Sequence, residues 1–470
     1  MQVPGGGFNR LRGANALNDL YAYLERSRAD YLETLFRLVR QPSISAQNVG
    51  LRECAALLLE IVSKAGMRAT LRETEGRPLI YAERLVGPGP PTLLFYGHYD
   101  VQPPEPLEAW ESAPFRPEVR NGKIYGRGTA DNTRQLLAHV LAVRTWLEAR
   151  GELPINVKMI FEGEEECDSP HLDAFVACNR EMLKADLVYT SDGALHDTGA
   201  PLVVLGVRGE LNVELTVHGA RWDNHSGNKG GVVPNPAWKI IDLLQTMRDR
   251  QGRVTIDGFY DGVTAPDAET LELIRQLPFD PAKTRAAIGY DGLDLDAESY
   301  YRALMLEPTF NIAGFTSGYG GEGAKTIIPA KAVLKVDFRL VGEQDPEDIF
   351  RKLSRHVQRH APDIEIRHLG AFRPSRTRAD VPAVRRVAEA VRRAYGREPL
   401  IVPSLGGSLP DSVWTQTLGV PSVLVPYANA DESNHAPNEN LDLDKFYAGI
   451  RCTLSVIESF GGAPRALTGC

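Results

Sequence analysis

The chain has 470 residues, more than one ordinary core accommodates, so two domains are expected. Its charge is mixed, with a mildly acidic net value of -8, which argues against a nucleic-acid-binding surface. There is no run of about 18 apolar residues to span a membrane, the N-terminal MQVPGGGFNRLRG lacks a secretory apolar stretch, and five scattered cysteines (Cys54, Cys167, Cys178, Cys452, Cys470) fit a reducing, cytoplasmic setting better than a disulfide framework.

From Ala14 to Arg40, apolar residues recur at helical spacing until Gln41-Pro42 stops the run, and a second amphipathic helix is predicted from Leu51 to Ala65. The apolar run Leu93 to Tyr96 predicts a buried strand that ends abruptly in Gly97-His98-Tyr99-Asp100. A histidine and an aspartate two residues apart add nothing to a core. They suit a metal ligand whose other ring nitrogen is held by an acid. Taken alone, His98 is better explained as a strand-end histidine in a turn.

Asn121-Gly122 predicts a hairpin turn, leading to Gly126-Arg127-Gly128-Thr129-Ala130-Asp131 and a helix through Leu136 and Leu147. Asp131 thus stands at a loop-to-helix junction, where the ordinary explanation is an N-cap worth about 1 kcal/mol. The next strand, Ile155 to Phe161, breaks into Glu162-Gly163-Glu164-Glu165-Glu166, carboxylates whose mutual repulsion a cation would relieve. Ala185 to Thr190 ends in Ser191-Asp192-Gly193, and Pro421 to Tyr427 is followed by a polar stretch holding His435.

Strands alternating with helices predict an α/β fold, a mostly parallel sheet with helices on both faces. Ligands in such sheets sit beyond the carboxyl ends of the strands. His98, the glutamate run, Asp192 and His435 would share that edge, with Asp131 at a neighbouring helix start. The middle of the chain differs: LNVELTVHG and KAVLKVDFRLV alternate as half-buried strands do, and helical patterns follow at Pro236 to Arg248 and Pro346 to Arg359. Residues 208–380 therefore read as an inserted α+β domain, with 1–207 and 381–470 forming the other.

Two histidines and several carboxylates without a thiolate suit zinc, with manganese or cobalt as alternatives. Five candidate ligands exceed the need of one tetrahedral ion. A carboxylate shared by two ions about 3.5–4 Å apart resolves the count, and a water between them would have its pKa lowered to about 7. A free carboxylate could then carry its proton to a leaving group, worth about 10²- to 10⁴-fold in rate. The expected chemistry is metal-assisted hydrolysis of an amide or ester.

The strings GHYDVQP, GRGTADN, FEGEEE, SDG and SNHAPNE resemble the five metal-site segments of the M20 metallopeptidases, in their carnosinase-like dipeptidase branch. The resemblance runs from about Gln41 to His435 and includes HSG at His225 and the run GAKTIIPAKAVLKVDFRLV. It implies one ion on His98 and Asp192, another on Glu166 and His435, Asp131 bridging them, and Asp100 orienting His98. Glu165 would be the general base; composition alone does not choose among the three consecutive glutamates. The inserted domain would be a lid and dimerisation domain, giving a homodimer in which His225 reaches the partner's active site to stabilise the oxyanion. Arg339 would hold the C-terminal carboxylate of a small peptide substrate as a fork-shaped donor, with Gly407, Ser408 and Thr326 lining that pocket. Where the family continues Asn-Lys-Gly after the bridging aspartate, this chain has Asn132-Thr133-Arg134. The lid also lacks an obvious equivalent of a substrate-binding histidine, with Arg373, Ser375 and Arg376 in that region. A dipeptidase or C-terminal exopeptidase is the expected activity; an N-acyl-amino-acid deacylase would use the same metals and base. A non-catalytic metal-binding protein is the reading from another class, and the intact EGEEE string argues against it.

Overall fold

The computed structural model describes residues 8–462, with side chains from residue 17; the first seven residues and Cys470 lie outside that range. Among the described residues the larger sheet has eight strands, in the order Arg68–Arg72, Leu79–Arg84, Asn156–Glu162, Thr92–His98, Leu187–Thr190, Ser422–Leu424, Leu202–Val204 and Leu400–Val402. The four central strands, from Asn156–Glu162 to Ser422–Leu424, are mutually parallel. Their register sets His98 beside Glu162 and Tyr96 beside Thr190, so the strands reach the same edge together. The flanking strands on either side include antiparallel pairs, which makes the sheet mixed.

Alternation along Thr92–His98 splits the core in two. Leu93 and Phe95 face the layer of long helices, Phe8–Val39, Leu51–Lys64, Thr133–Arg150, Pro382–Tyr395 and Leu443–Phe460. Leu94 and Tyr96 face the opposite side, where they meet Ile160, Leu172, Val176 and Trp414. Burying each such side chain stabilises the fold by roughly 1.5–3 kcal/mol. Helices therefore cover both faces, and the strand ends are left free to carry polar groups.

A second sheet has four antiparallel strands, ordered Thr309–Ser317, Lys331–Leu340, Gly209–His218 and Glu365–Phe372. Leu211, Val213, Leu215 and Val217 alternate onto the helices Pro236–Met247 and Pro346–His360, together with Leu334, Val336 and Phe338. Asn235 and Asp345 cap those helices through their side chains, each followed by proline at the first helical position. Thr309–Ser317, which the sequence did not suggest, forms one edge and leaves Ile312 and Phe315 exposed.

The chain passes between the sheets at Gly206–Val207 and Ser375–Arg376, which pair with each other as a two-stranded ribbon. Gly206 is needed there because a Cβ would collide with the Ser375 carbonyl. The helices Ala268–Arg275 and Ala297–Leu306 pack away from the small sheet. Their Ile274, Tyr301 and Met305 cover Leu202, Val204, Val402 and Leu424 of the large one, an edge that would otherwise stand in water. No described helix is long and apolar enough to cross a membrane, and the four described cysteines are free.

Candidate metal centre

His98 is the last residue of its strand and is fully buried. Its Nδ1 lies 3.1 Å from the Asp100 carbonyl oxygen and 3.4 Å from the Asp100 carboxylate. Its Nε2 faces Asp131 at 3.2 Å, Asp192 at 3.5 Å and Glu165 at 3.7 Å, without a well-directed hydrogen bond to any of them. On the other side of Asp131, His435 Nε2 lies 3.0 Å from Asp131 Oδ2 and 3.2 Å from Glu166 Oε2. Two groups result, each with ligand atoms within 4.8 Å of one another: His98, Asp131 and Asp192, and Asp131, Glu166 and His435. The two oxygens of Asp131 are divided between them.

The surrounding loops are fixed by groups that hold backbone. Asp100, fully buried, accepts hydrogen bonds from the Glu165 and Glu166 amides at 3.2 and 3.1 Å, so one carboxylate sets both the histidine and the glutamate turn. Gln102 donates to Glu166 Oε2 at 2.8 Å, and Asn132 donates to the Ser191 carbonyl at 2.6 Å. Glu439, also fully buried, accepts from the amides of Gly128, Ala130 and Asp131 and pairs with Arg127 at 2.9 Å. Gln102 and Glu439 lie inside the strings GHYDVQP and SNHAPNE, but nothing in one sequence separates a loop-holding group from a ligand.

The charge balance is strongly acidic. Burial pushes the Glu165 carboxyl well above its ordinary range, and the neighbouring Asp192, Glu166 and Asp131 push the same way against His98. Burial likewise raises Glu166 and Asp192. Burial disfavours the His98 cation, but Glu165, Asp100, Asp131 and Asp192 outweigh it and hold the imidazole well above its usual range. His435, bonded to Asp131 and Glu166, rises to about 10. An imidazole nitrogen without a proper partner, aimed into converging carboxylates, fits a divalent cation, which would relieve the repulsion that now drives protons onto the cluster.

Away from the cluster, Arg339 Nη1 donates to Glu210 at 2.8 Å and to Ser408 Oγ at 2.7 Å, so the structure brings Arg339 and Ser408 together, with Gly407 beside them. Asp168, three residues beyond Glu165, feels the charge of Arg339, which ties this group electrostatically to the glutamate turn. His225 and Thr326 are neighbours on another ribbon, Asn224–His225 against Ile327–Ile328, where the Ser226 amide donates to the Thr326 carbonyl at 3.0 Å. His225 is exposed, its Nδ1 accepting from the Gly227 amide, and its described contacts are not with the His98–His435 cluster. Arg134 is fully buried and donates to the Lys445 carbonyl at 3.3 Å, so the unusual loop after Asp131 turns its side chain into the protein interior.

Residues 94–459 match the model of peptidase family M20/M25/M40. An M20 family metallo-carboxypeptidase from Sulfolobus solfataricus is 38% identical with a TM-score of 0.88, over 92% of this chain and 99% of that one. The Cys-Gly metallodipeptidase of Schizosaccharomyces pombe is 29% identical over 93% of this chain and 97% of its own. Human carnosine dipeptidase 1, 24% identical, shares the fold with a TM-score of 0.83 over 95% of this chain and 100% of that chain. Taken with the acidic strand-end cluster, these likenesses define a metallopeptidase. The chain belongs to the M20 peptidase family.

Proposed function

We propose that this enzyme hydrolyses the peptide bond of dipeptides or short peptides that carry a free C-terminal carboxylate, using two divalent metal ions per subunit. The observation that carries the reading is the division of Asp131 between two ligand groups, with Glu165 close by but in neither. His98 and Asp192 would hold one ion, Glu166 and His435 the other, and Asp131 both. When bound, the ions (zinc first, with manganese or cobalt as alternatives) supply a water acidic enough to act as nucleophile near neutral pH.

Glu165 takes the proton of that water and hands it to the departing amine. Its carboxylate, 3.7 Å from His98 Nε2 and in neither ligand group, supports a carrier between two partners of differing basicity. Asp100 keeps His98 and the Glu165–Glu166 turn in register. Arg339 and Ser408 bind the substrate carboxylate, with Gly407 allowing close backbone approach, and Thr326, beside His225 on its ribbon, would reach that pocket from the partner subunit together with it. The segment 208–380 acts as lid and homodimer contact, and the partner subunit's His225 stabilises the oxyanion. The exposed position of His225 and the exposed Ile312 and Phe315 on the edge strand of the small sheet support that arrangement. The free cysteines support a reducing, cytoplasmic setting.

The relatives named for Cys-Gly and carnosine hydrolysis favour dipeptides over N-acyl amino acids. The test is a comparison of kcat/KM on free dipeptides, their C-terminal amides and N-acetyl amino acids with metal-loaded protein. Free dipeptides should be preferred; a preference for N-acetyl amino acids would make the enzyme a deacylase instead.

A further inference from the structure

Arg208 lies where the chain leaves the large sheet, immediately after the ribbon strand Gly206–Val207. Its side chain is buried, 8% exposed, yet its hydrogen bonds go to neutral acceptors: Nε to the Gly406 carbonyl at 2.8 Å and Nη1 to the Glu307 carbonyl at 3.2 Å. Burial and the nearby Arg339 charge push the guanidinium down to about 10, with Asp337 and Glu210 opposing. Keeping a second cation so near Arg339 in a buried place is costly for stability alone.

Gly406 opens the turn that carries Gly407 and Ser408, and Ser408 Oγ is the hydroxyl bonded to Arg339. The turn is pinned from two sides, by Arg208 on its carbonyl and by Leu304, whose Cδ1 would lie 2.7 Å from a Cβ at Gly406. Arg208 also lines a cavity of about 350 Å³, with Met305, Leu306, Pro374, Ser404 and Gln416. That volume is within the range of small-molecule pockets, about 300–1,000 Å³. Arg208 is common to both, holding the turn and forming part of the cavity wall.

We propose that Arg208 enforces the requirement for a free C-terminus, positioning the Gly406–Ser408 turn for the substrate carboxylate and walling that pocket off from the cavity. The proposal rests on the reading that Arg339 and Ser408 bind that carboxylate. A peptide one residue longer would need the cavity, and Arg208 denies it. Arg208 touches no reacting atom; it acts through the turn and through the space it fills.

The test compares wild type, Arg208→Lys, Arg208→Met, Arg208→Ala and Arg339→Met, all metal-loaded, on a dipeptide, its C-terminal amide and a tripeptide extended at the C-terminus. For Arg208→Met, KM for the dipeptide should rise about tenfold with kcat nearly unchanged, and the amide-to-acid ratio of kcat/KM should rise by a similar factor, as expected for losing hydrogen bonds from a charged group. Arg208→Ala should in addition release the intact C-terminal dipeptide from the tripeptide, detected by chromatography. Arg208→Lys should restore part of the ratio. Should Arg208→Ala fail to fold, the Lys and Met variants decide. If the Arg208 variants keep the wild-type ratio while Arg339→Met loses its preference for the free acid, the role of Arg208 is overturned. If Arg339→Met also keeps that preference, the carboxylate reading fails, and this one with it.

Discussion

Asp131 is the residue on which most depends, because each of its oxygens faces a different histidine. Asp131→Ala should lose bound metal and activity together; elemental analysis showing full occupancy would remove its bridging role. Glu165→Gln keeps the shape of the site and takes away the proposed proton carrier. It should retain both ions and lose turnover by several orders of magnitude, read from kcat at constant metal content. Asp100→Ala removes the acceptor for two amides and the acid beside His98. It should weaken metal affinity about 10- to 100-fold, the usual cost of losing a group that orients a ligand, measured by competition with a chelator. The individual residues here were legible because strands ended in chemistry that a core has no use for. The proposed choice of Glu165 over Glu164 and Glu166 as base was not, since three consecutive carboxylates differ only in where the chain turns after the strand. In the folded chain Glu164 turns away to His171, bonding its Nδ1 at 2.7 Å.

At the scale of elements, the loop before the helix Thr133–Arg150 is tied to the chain's last polar segment by Glu439. Glu439→Ala leaves Arg127 buried without its partner, and should cost roughly 3–5 kcal/mol, visible as a lower melting temperature. The same helix buries His139 among Phe95, Tyr189 and Tyr427. Burial, with the charge of Arg134, depresses its pKa from 6.5 to about 3. Below about pH 6.5 the unfolded chain binds a proton that the folded chain refuses, so this contribution is complete above that pH and fades as pH falls toward 3. At pH 5 the loss is about 2 kcal/mol. His139→Leu should flatten that part of the stability curve in urea unfolding; an unchanged slope would mean that other groups set it. The central strands and long helices were legible from apolar runs and helical spacing. Leu202–Val204 and Leu400–Val402 were not, being three residues each, too short to show a period. Thr309–Ser317 escaped because an edge strand with exposed Ile312 and Phe315 lacks the usual one-sided pattern.

The whole molecule bears on catalysis through its proposed second copy. With Glu165 acting within a subunit and His225 across the dimer, Glu165→Gln and Arg339-intact His225→Ala proteins should each be inactive but complement when mixed and allowed to exchange. Half of the dimers would be mixed and one of their two sites complete, giving about a quarter of wild-type activity; no recovery despite proven exchange would place His225 in its own subunit's site. The ribbon of Gly206–Val207 against Ser375–Arg376 has a separate consequence. Val207 and Ser375 are direct partners across it, so a short turn could join them and excise everything between, as closely spaced insertion points generally permit. Such a miniature would uncover Leu202, Val204, Val402 and Leu424, now sheltered by the excised helices. It would need polar replacements there to remain in solution, and could then serve as a bare metal scaffold for grafting other substrate-binding modules.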